Sequence, residues 1–334
     1  MPPTVHILGA GGIGIAAAAG LVRTGWHVTM VESNAAKVAA GERDGMCIDG
    51  ASAIRVPFVP FEAWRPVPNA VVLLCTKTFD NAAVLARLPA TPLLVPIQNG
   101  YDPQLDALDH PCEAIASFVS ACPADRPDAR ITRAGALHIG ARREASAMQR
   151  ERMAALANAI GASGLFPVHH VDDVRPYKAA KLMYNAAISP LAAGAGVDNA
   201  ELLTDPLANR LFFALLLENH AILRHAGVPL ARIGPFHPDV VARILRTPLL
   251  PKLMSHFFRP SLRGTYCSMA PDMGGGRTEV DAYNGHLIRL AGQGPCPINR
   301  EVVAMVQRIT EGRLAPGRSH LERLAQTLGM ETPA

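Results

Sequence analysis

The opening stretch "TVHILGAGGIGIAAAAGLVRTGWHVTMVES" runs from a short apolar block through a glycine turn into an alanine-rich segment, stops at Gly25, and resumes as a β-branched block ending in Glu32. That order predicts strand, helix and strand, one βαβ unit of about thirty residues. Strand-like apolar runs recur at 71–75, 93–97, 114–119 and 136–139, separated by loops and by helical stretches such as 81–88. They extend the unit as a mostly parallel sheet. After Val168 the pattern changes to Ala/Leu/Arg-rich segments with apolar residues at helical spacing, over 173–188, 206–226, 239–257, 279–291 and 299–312. The predicted architecture is α/β, with a Rossmann dinucleotide-binding domain over 1–170 and an all-helical domain over 171–334, without internal repeats.

Composition removes several classes of partner. The chain has 334 residues, 49% hydrophobic and 18% charged, enough to bury two cores. Its net charge of +4 is spread along the chain with no long basic run, and its aromatic residues are not interleaved with basic ones, so nucleic acid is not an expected partner. The six cysteines form no CxxC pair and the twelve histidines no HExxH, so neither a metal site nor a disulfide framework is signalled. The apolar run "LFFALLL" at 211–217 ends at Glu218 and is too short to span a membrane. A cytoplasmic protein with reduced thiols, not a membrane protein, is the expectation.

Three places carry chemistry. The first is the glycine turn: Gly9, Gly11 and Gly14 have GxGxxG spacing inside the βαβ unit, with Gly12 between them. Gly9 suits the tight turn, Gly11 the approach of a pyrophosphate, and Gly14 close packing of helix on strand, while the helix N-terminus faces the phosphates. Glu32, eighteen residues past Gly14, stands where an acid accepts from a ribose 2′-hydroxyl, which favours NAD(H) over NADP(H). Two later strands end in "CTKTFD" and "PIQNG", so Lys77 and Asn99 are expected to border the cofactor crevice. Lys37 and Arg43 are the cations that could rescue a 2′-phosphate.

The second is "KLMYNAAISP", in which Lys181, Asn185 and Ser189 recur every fourth residue of an otherwise apolar helix and form one narrow stripe. The stripe is either the wet side of an amphipathic helix or a cleft wall carrying chemistry. Lys178, three residues before Lys181, is expected to be an ordinary lysine that tolerates alanine. The third is "SMAPDMGGGRTEVDAYNG", where Thr278 and Asp281 have capping-box spacing and Glu279 falls at the first helical position.

Taken together, "GAGGIG", "TKTFD", "QNG", "KLMYNAAISPLAA" and "SMAPD…RTEVDAYNG" resemble, in this order, the 2-dehydropantoate 2-reductases, or ketopantoate reductases. The resemblance implies a helical domain of the 6-phosphogluconate dehydrogenase type and NAD(P)H-dependent reduction of a small 2-oxo acid. It implies Lys181 as proton donor to the substrate carbonyl, with Glu279 holding the substrate hydroxyl and the lysine. Asn185, Ser189 and Ser268 would contact substrate, and Lys77 and Asn99 would lie near the nicotinamide. It leaves a homodimer open.

The chain departs from that family at Ser189, where asparagine is common, at Glu32, where a basic residue is common, and in a Ser268–Glu279 interval one residue short. A serine there implies a wider pocket with fewer polar contacts. Two other classes fit the same architecture: an opine- or imine-type dehydrogenase, separated by amine-dependent turnover, and a non-catalytic dinucleotide-binding regulator, which would not need both Lys181 and Glu279.

Overall fold

The computed structural model of the chain describes residues 2–88, 93–108, 110–247, 259–260 and 262–330. The chain divides into two compact units, one of Met1–Gln98 with Asp102–Arg175, the other of Pro176–Ala334 with the short segment Asn99–Tyr101.

In the first unit, strands β1 (Thr4–Leu8), β2 (His27–Glu32), β3 (Phe58–Pro60), β4 (Val71–Leu74) and β5 (Leu93–Pro96) form a parallel sheet in the order β3-β2-β1-β4-β5. The order reverses between β1 and β4, the point at which ligands bind in open α/β sheets. Helix α1 (Gly12–Arg23) follows β1 and α2 (Ala35–Asp44) follows β2. Strand β4 is apolar at every position because both of its faces are covered. On β4, Val71 and Leu73 join the core that includes Ile15, Leu21 and Ile160, whereas Val72 and Leu74 join Trp64 and Leu105 in a second core.

The sheet is less extended than the apolar runs suggest. The run at 114–119 divides into strands Cys112–Ala116 and Val119–Ala121, because Ser117 Oγ accepts from the Ala136 N–H at 2.8 Å and turns the chain between them. Cys112–Ala116 pairs antiparallel with Leu137–Ala141, which pairs parallel with Val168–Asp173. A third sheet joins Cys47–Ile48, Asp128–Arg133 and Val119–Ala121. The polar strands Val168–Asp173 and Asp128–Arg133 carry too little apolar alternation to be recognised from sequence. Helix Ala147–Gly161, also unforeseen, opens with a complete capping box between Ser146 and Gln149.

The second unit is helical among its described residues: Arg175–Ala195, which begins one residue before the unit, then Pro206–His225, Pro238–Leu245, His286–Ala291, Pro297–Glu311 and Arg318–Thr327. The expected helix over 239–257 is seen as Pro238–Leu245, and positions 248–257 lie outside the described residues. Leu182, Met183, Ala186 and Ala187 of the first helix meet Leu211, Leu215, Tyr283, Val302 and Met305 in one core. No helix among the described residues is long and apolar enough to cross a membrane.

Candidate active site

The glycine loop is built as its spacing predicts. Gly9 has φ +97°, and a Cβ there would lie 3.0 Å from the Cys75 carbonyl at the end of β4. A Cβ on Gly14 would stand 2.2 Å from the Gly9 carbonyl oxygen, which no shift of a side chain relieves. Around Gly11, by contrast, nothing lies within 4 Å of a Cβ position, so the chain presents bare backbone there. Gly11 is also the N-cap of α1 and gives no side-chain cap, so the end of the helix dipole is left uncovered by its own capping residue. Gly12 faces Ser120, whose Oγ is 2.3 Å from the Cβ position, a neighbour that the sequence pattern did not reveal.

Glu32 ends β2 and braces this loop. Its Oε2 accepts from the Ala10 N–H at 3.0 Å, and its Oε1 accepts from the N–H groups of Ser33 and Asn34 at 2.8 and 2.9 Å. Oε2 keeps a lone pair for a further donor such as a hydroxyl. The two cations named as rescuers are occupied: buried Lys37 donates to the Ala10 carbonyl at 3.3 Å, and Arg43 pairs with Asp44 at 2.6 Å. Beyond β4 and β5, the Gln98 amide donates to the Thr76 carbonyl at 2.8 Å and to Asn81 Oδ1 at 2.8 Å, while Asn81 donates to Asp102 at 2.7 Å. Lys77, half-buried, precedes the 3-10 turn Thr78–Asp80 beside this network.

In the second unit, Lys181, Asn185 and Ser189 lie along helix Arg175–Ala195. The stripe is not a wet face: Lys181 is 8% exposed and Ser189 3%. Pro190 sits inside the helix and has no N–H for the carbonyl of Ala186, four residues back. Asn284 supplies the missing donor, its Nδ2 standing 2.8 Å from the Ala186 oxygen. The same amide donates to Asn299 Oδ1 at 2.9 Å; Asn299 donates to Glu218 and to Asn219, and Asn219 donates to the Met183 carbonyl at 3.0 Å. A buried polar network therefore grips the back of the helix that carries Lys181.

Glu279 is 4% exposed and stands ahead of its helix rather than in it. The Thr278 capping box does not form: the helical backbone begins at Val280 without a side-chain cap and runs as a π-turn over Asp281–Gly285 before continuing as His286–Ala291. Tyr283, fully buried, donates from its hydroxyl to Glu279 Oε2 at 3.0 Å, and its oxygen is 3.4 Å from Ser268 Oγ. Burial, the Glu279 charge and the bond to it push the phenol well above its ordinary pKa, so it stays protonated. Cys267 donates to the Ser189 carbonyl at 3.4 Å. Ser189, Ser268 and Glu279 are thus tied together through Cys267 and Tyr283.

Asn99 belongs to a segment that packs on the helical unit. Tyr101 N–H donates to the Ala282 carbonyl at 3.0 Å, and the Tyr101 ring stacks on His286 at 4.0 Å. Lys178 is no surface lysine: it is 2% exposed, with its ammonium 4.5 Å from the centre of the Tyr101 ring.

These features coincide with a known family. The sequence pattern described as Ketopantoate reductase PanE/ApbA matches residues 5–144, and that described as Ketopantoate reductase PanE/ApbA C terminal matches residues 173–310. The 2-dehydropantoate 2-reductase of Aquifex aeolicus (strain VF5) is 24% identical over 296 residues, which are 85% of this chain and 89% of that protein. The crystal structure of a PanE/ApbA family ketopantoate reductase from Ralstonia eutropha JMP134 superposes with a TM-score of 0.73 at 25% identity, over 93% of this chain and 99% of that one. D-mandelate dehydrogenase in complex with NADH shares the fold with a TM-score of 0.72 at 17% identity, over 92% of this chain and 99% of that one. The chain belongs to the ketopantoate reductase PanE/ApbA family and is an oxidoreductase of that family.

Proposed function

We propose that the protein reduces a small 2-oxo acid to the 2-hydroxy acid with a nicotinamide cofactor, NAD(H) in preference to NADP(H). The observation that carries this reading is a buried lysine, Lys181, in line with Asn185 and Ser189 on a helix braced from behind by Asn284, Asn299 and Asn219. The residues of the glycine loop fit a dinucleotide: bare backbone at Gly11, an uncapped helix start, and a carboxylate at Glu32 with a free lone pair. Gly9, Gly11, Gly12, Gly14 and Glu32 would hold its phosphates and ribose, with Lys77 and Asn99 toward the nicotinamide. When bound, the cofactor supplies the hydride to the carbonyl carbon.

The protein's own groups handle the oxygen. Negative charge that develops on the carbonyl oxygen is stabilised by the Lys181 ammonium, which then gives up a proton to it. Glu279 orients the lysine and the nascent hydroxyl, and its carboxylate is held by Tyr283. Asn185 and Ser268 position the substrate, Ser268 at its carboxylate. Ser189 offers one short hydroxyl, so the accepted side chain carries fewer polar groups than that of ketopantoate. Lys181→Ala should lower kcat by about 10²–10⁴-fold with dinucleotide affinity unchanged. A folded variant that loses less than threefold would refute the assignment.

A further inference from the structure

The Tyr283 hydroxyl is completely buried yet makes two polar contacts, and it is given no proton to deliver and no substrate atom to touch in the reaction described above. It has a single proton. At 3.0 Å that proton is directed at Glu279 Oε2, so Ser268 Oγ at 3.4 Å must act as donor to the phenol oxygen. The result is a directed chain, Ser268 to Tyr283 to Glu279, that ends on a carboxylate 4% exposed. Glu279 and Tyr283 are four residues apart, and the Tyr283 N–H donates to the Glu279 carbonyl at 3.1 Å. The π-turn over Asp281–Gly285 starts at this point, and such turns recur where a helix must present a functional side chain. The backbone and the hydroxyl of one tyrosine therefore both fasten Glu279.

We infer that Tyr283 is a positioning residue of the reductase site, fixing the Glu279 carboxylate and coupling it to Ser268, so that an occupant of the Ser268 subsite is sensed at Glu279. When a substrate carboxylate draws the Ser268 proton, the phenol oxygen loses a donor, while its own O–H remains on Glu279. The inference rests on the assignment of Glu279 to the active site.

A double-mutant cycle on kcat tests it, using Y283F, E279Q and the pair, with ketopantoate and 2-oxo-3-methylbutanoate as the probes and NADH as cofactor. A hydrogen bond to a charged group is strong enough that Y283F should lower kcat about tenfold, with the KM for NADH little changed and the thermal midpoint lowered only as far as the loss of one buried hydrogen bond requires. In the E279Q background, Y283F should have no further effect beyond about twofold, because its route of action is gone. A wild-type kcat for Y283F, or an equal loss in both backgrounds, overturns the inference, since a merely structural tyrosine gives additive losses. If E279Q alone keeps wild-type kcat, the assignment of Glu279 falls and this inference with it, an outcome distinct from a silent Y283F. Should Y283F fail to fold, 2,3-difluorotyrosine at position 283 keeps the shape and strengthens the donor. A kcat altered by threefold or more at an unchanged thermal midpoint supports the inference, and an unaltered kcat overturns it.

Discussion

Lys178 and Lys181 are three residues apart on one helix, and a sequence pattern gives no reason to treat the first as special. Its surroundings do. A lysine 2% exposed whose ammonium lies over the Tyr101 ring is paid for by a desolvated cation–π contact, about 2 kcal/mol, and by packing of its stem. Lys178→Ala should therefore destabilise the protein by about 2 kcal/mol or more, read as a lowered midpoint in denaturant. Lys178→Met, which keeps the stem, should recover part of the loss. An alanine variant as stable as the parent would show that the ring contact carries no weight. The distinction was illegible in sequence because it depends on Tyr101, some eighty positions away, stacking on His286. The stripe of Lys181, Asn185 and Ser189 was legible because all three lie on one helix.

At the scale of elements, the glycine loop separates two requirements that one motif fuses. A Cβ on Gly14 collides with backbone, whereas a Cβ on Gly11 meets nothing in the protein. Gly14→Ala should lower the thermal midpoint or abolish folding. Gly11→Ala should leave the midpoint alone and weaken NADH binding, because only a bound pyrophosphate would occupy that space. Calorimetric titration with NADH, set beside thermal melts of both variants, checks the pair; equal melting loss in both would contradict the loop geometry.

The lysine helix makes a second case. Pro190 leaves the Ala186 carbonyl without its helical donor and Asn284 replaces it, so Asn284→Ala should orphan buried groups at a cost of about 1–3 kcal/mol. A melting temperature unchanged within error would refute that account. The proline could be read in the sequence but its remedy could not, because Asn284 comes from a distant turn. The same turn explains the failed capping box: Thr278 and Asp281 have the right spacing, but the backbone enters a π-turn there, and capping rules assume an α-helical first turn. Strands β1, β2, β4 and β5 of the parallel sheet were readable as mainly apolar runs, whereas the three-residue edge strand β3 was too short to show. The sheet was misread after β5, where Ser117 splits a continuous apolar run and antiparallel pairing begins.

For the whole molecule, the buried His138 and the half-buried His286 set a pH dependence of stability. Burial, with the neighbouring His169, depresses the His138 pKa from 6.5 to about 4, and burial, with Arg289 and Lys178, depresses that of His286 likewise. Between about pH 6.5 and 4 the unfolded chain binds protons at these rings that the folded chain does not, so stability is full above pH 6.5 and falls as the pH is lowered through that window. The slope is at most about 1.4 kcal/mol per pH unit for each ring, less where water screens it. Denaturant midpoints measured between pH 7 and 4 should decline, and His138→Gln should flatten the decline. A curve independent of pH in that range would contradict the burial of these rings.

The central claim is that one chain couples a dinucleotide site marked by Glu32 to proton delivery by Lys181. At an effective dielectric near 20 and about 4 Å, a 2′-phosphate beside Glu32 would meet roughly 4 kcal/mol of repulsion per charge pair, and the nearby cations are already engaged. The measurement that tests the claim most directly is oxidation of NADH and of NADPH by the purified protein against a panel of 2-oxo acids that includes ketopantoate, with and without ammonia or an amine donor. The account predicts amine-independent turnover, kcat/KM about a hundredfold higher with NADH, and a best substrate less hydroxylated than ketopantoate. Turnover that requires an amine, equal efficiency with both cofactors, or no oxidation with any 2-oxo acid would contradict it.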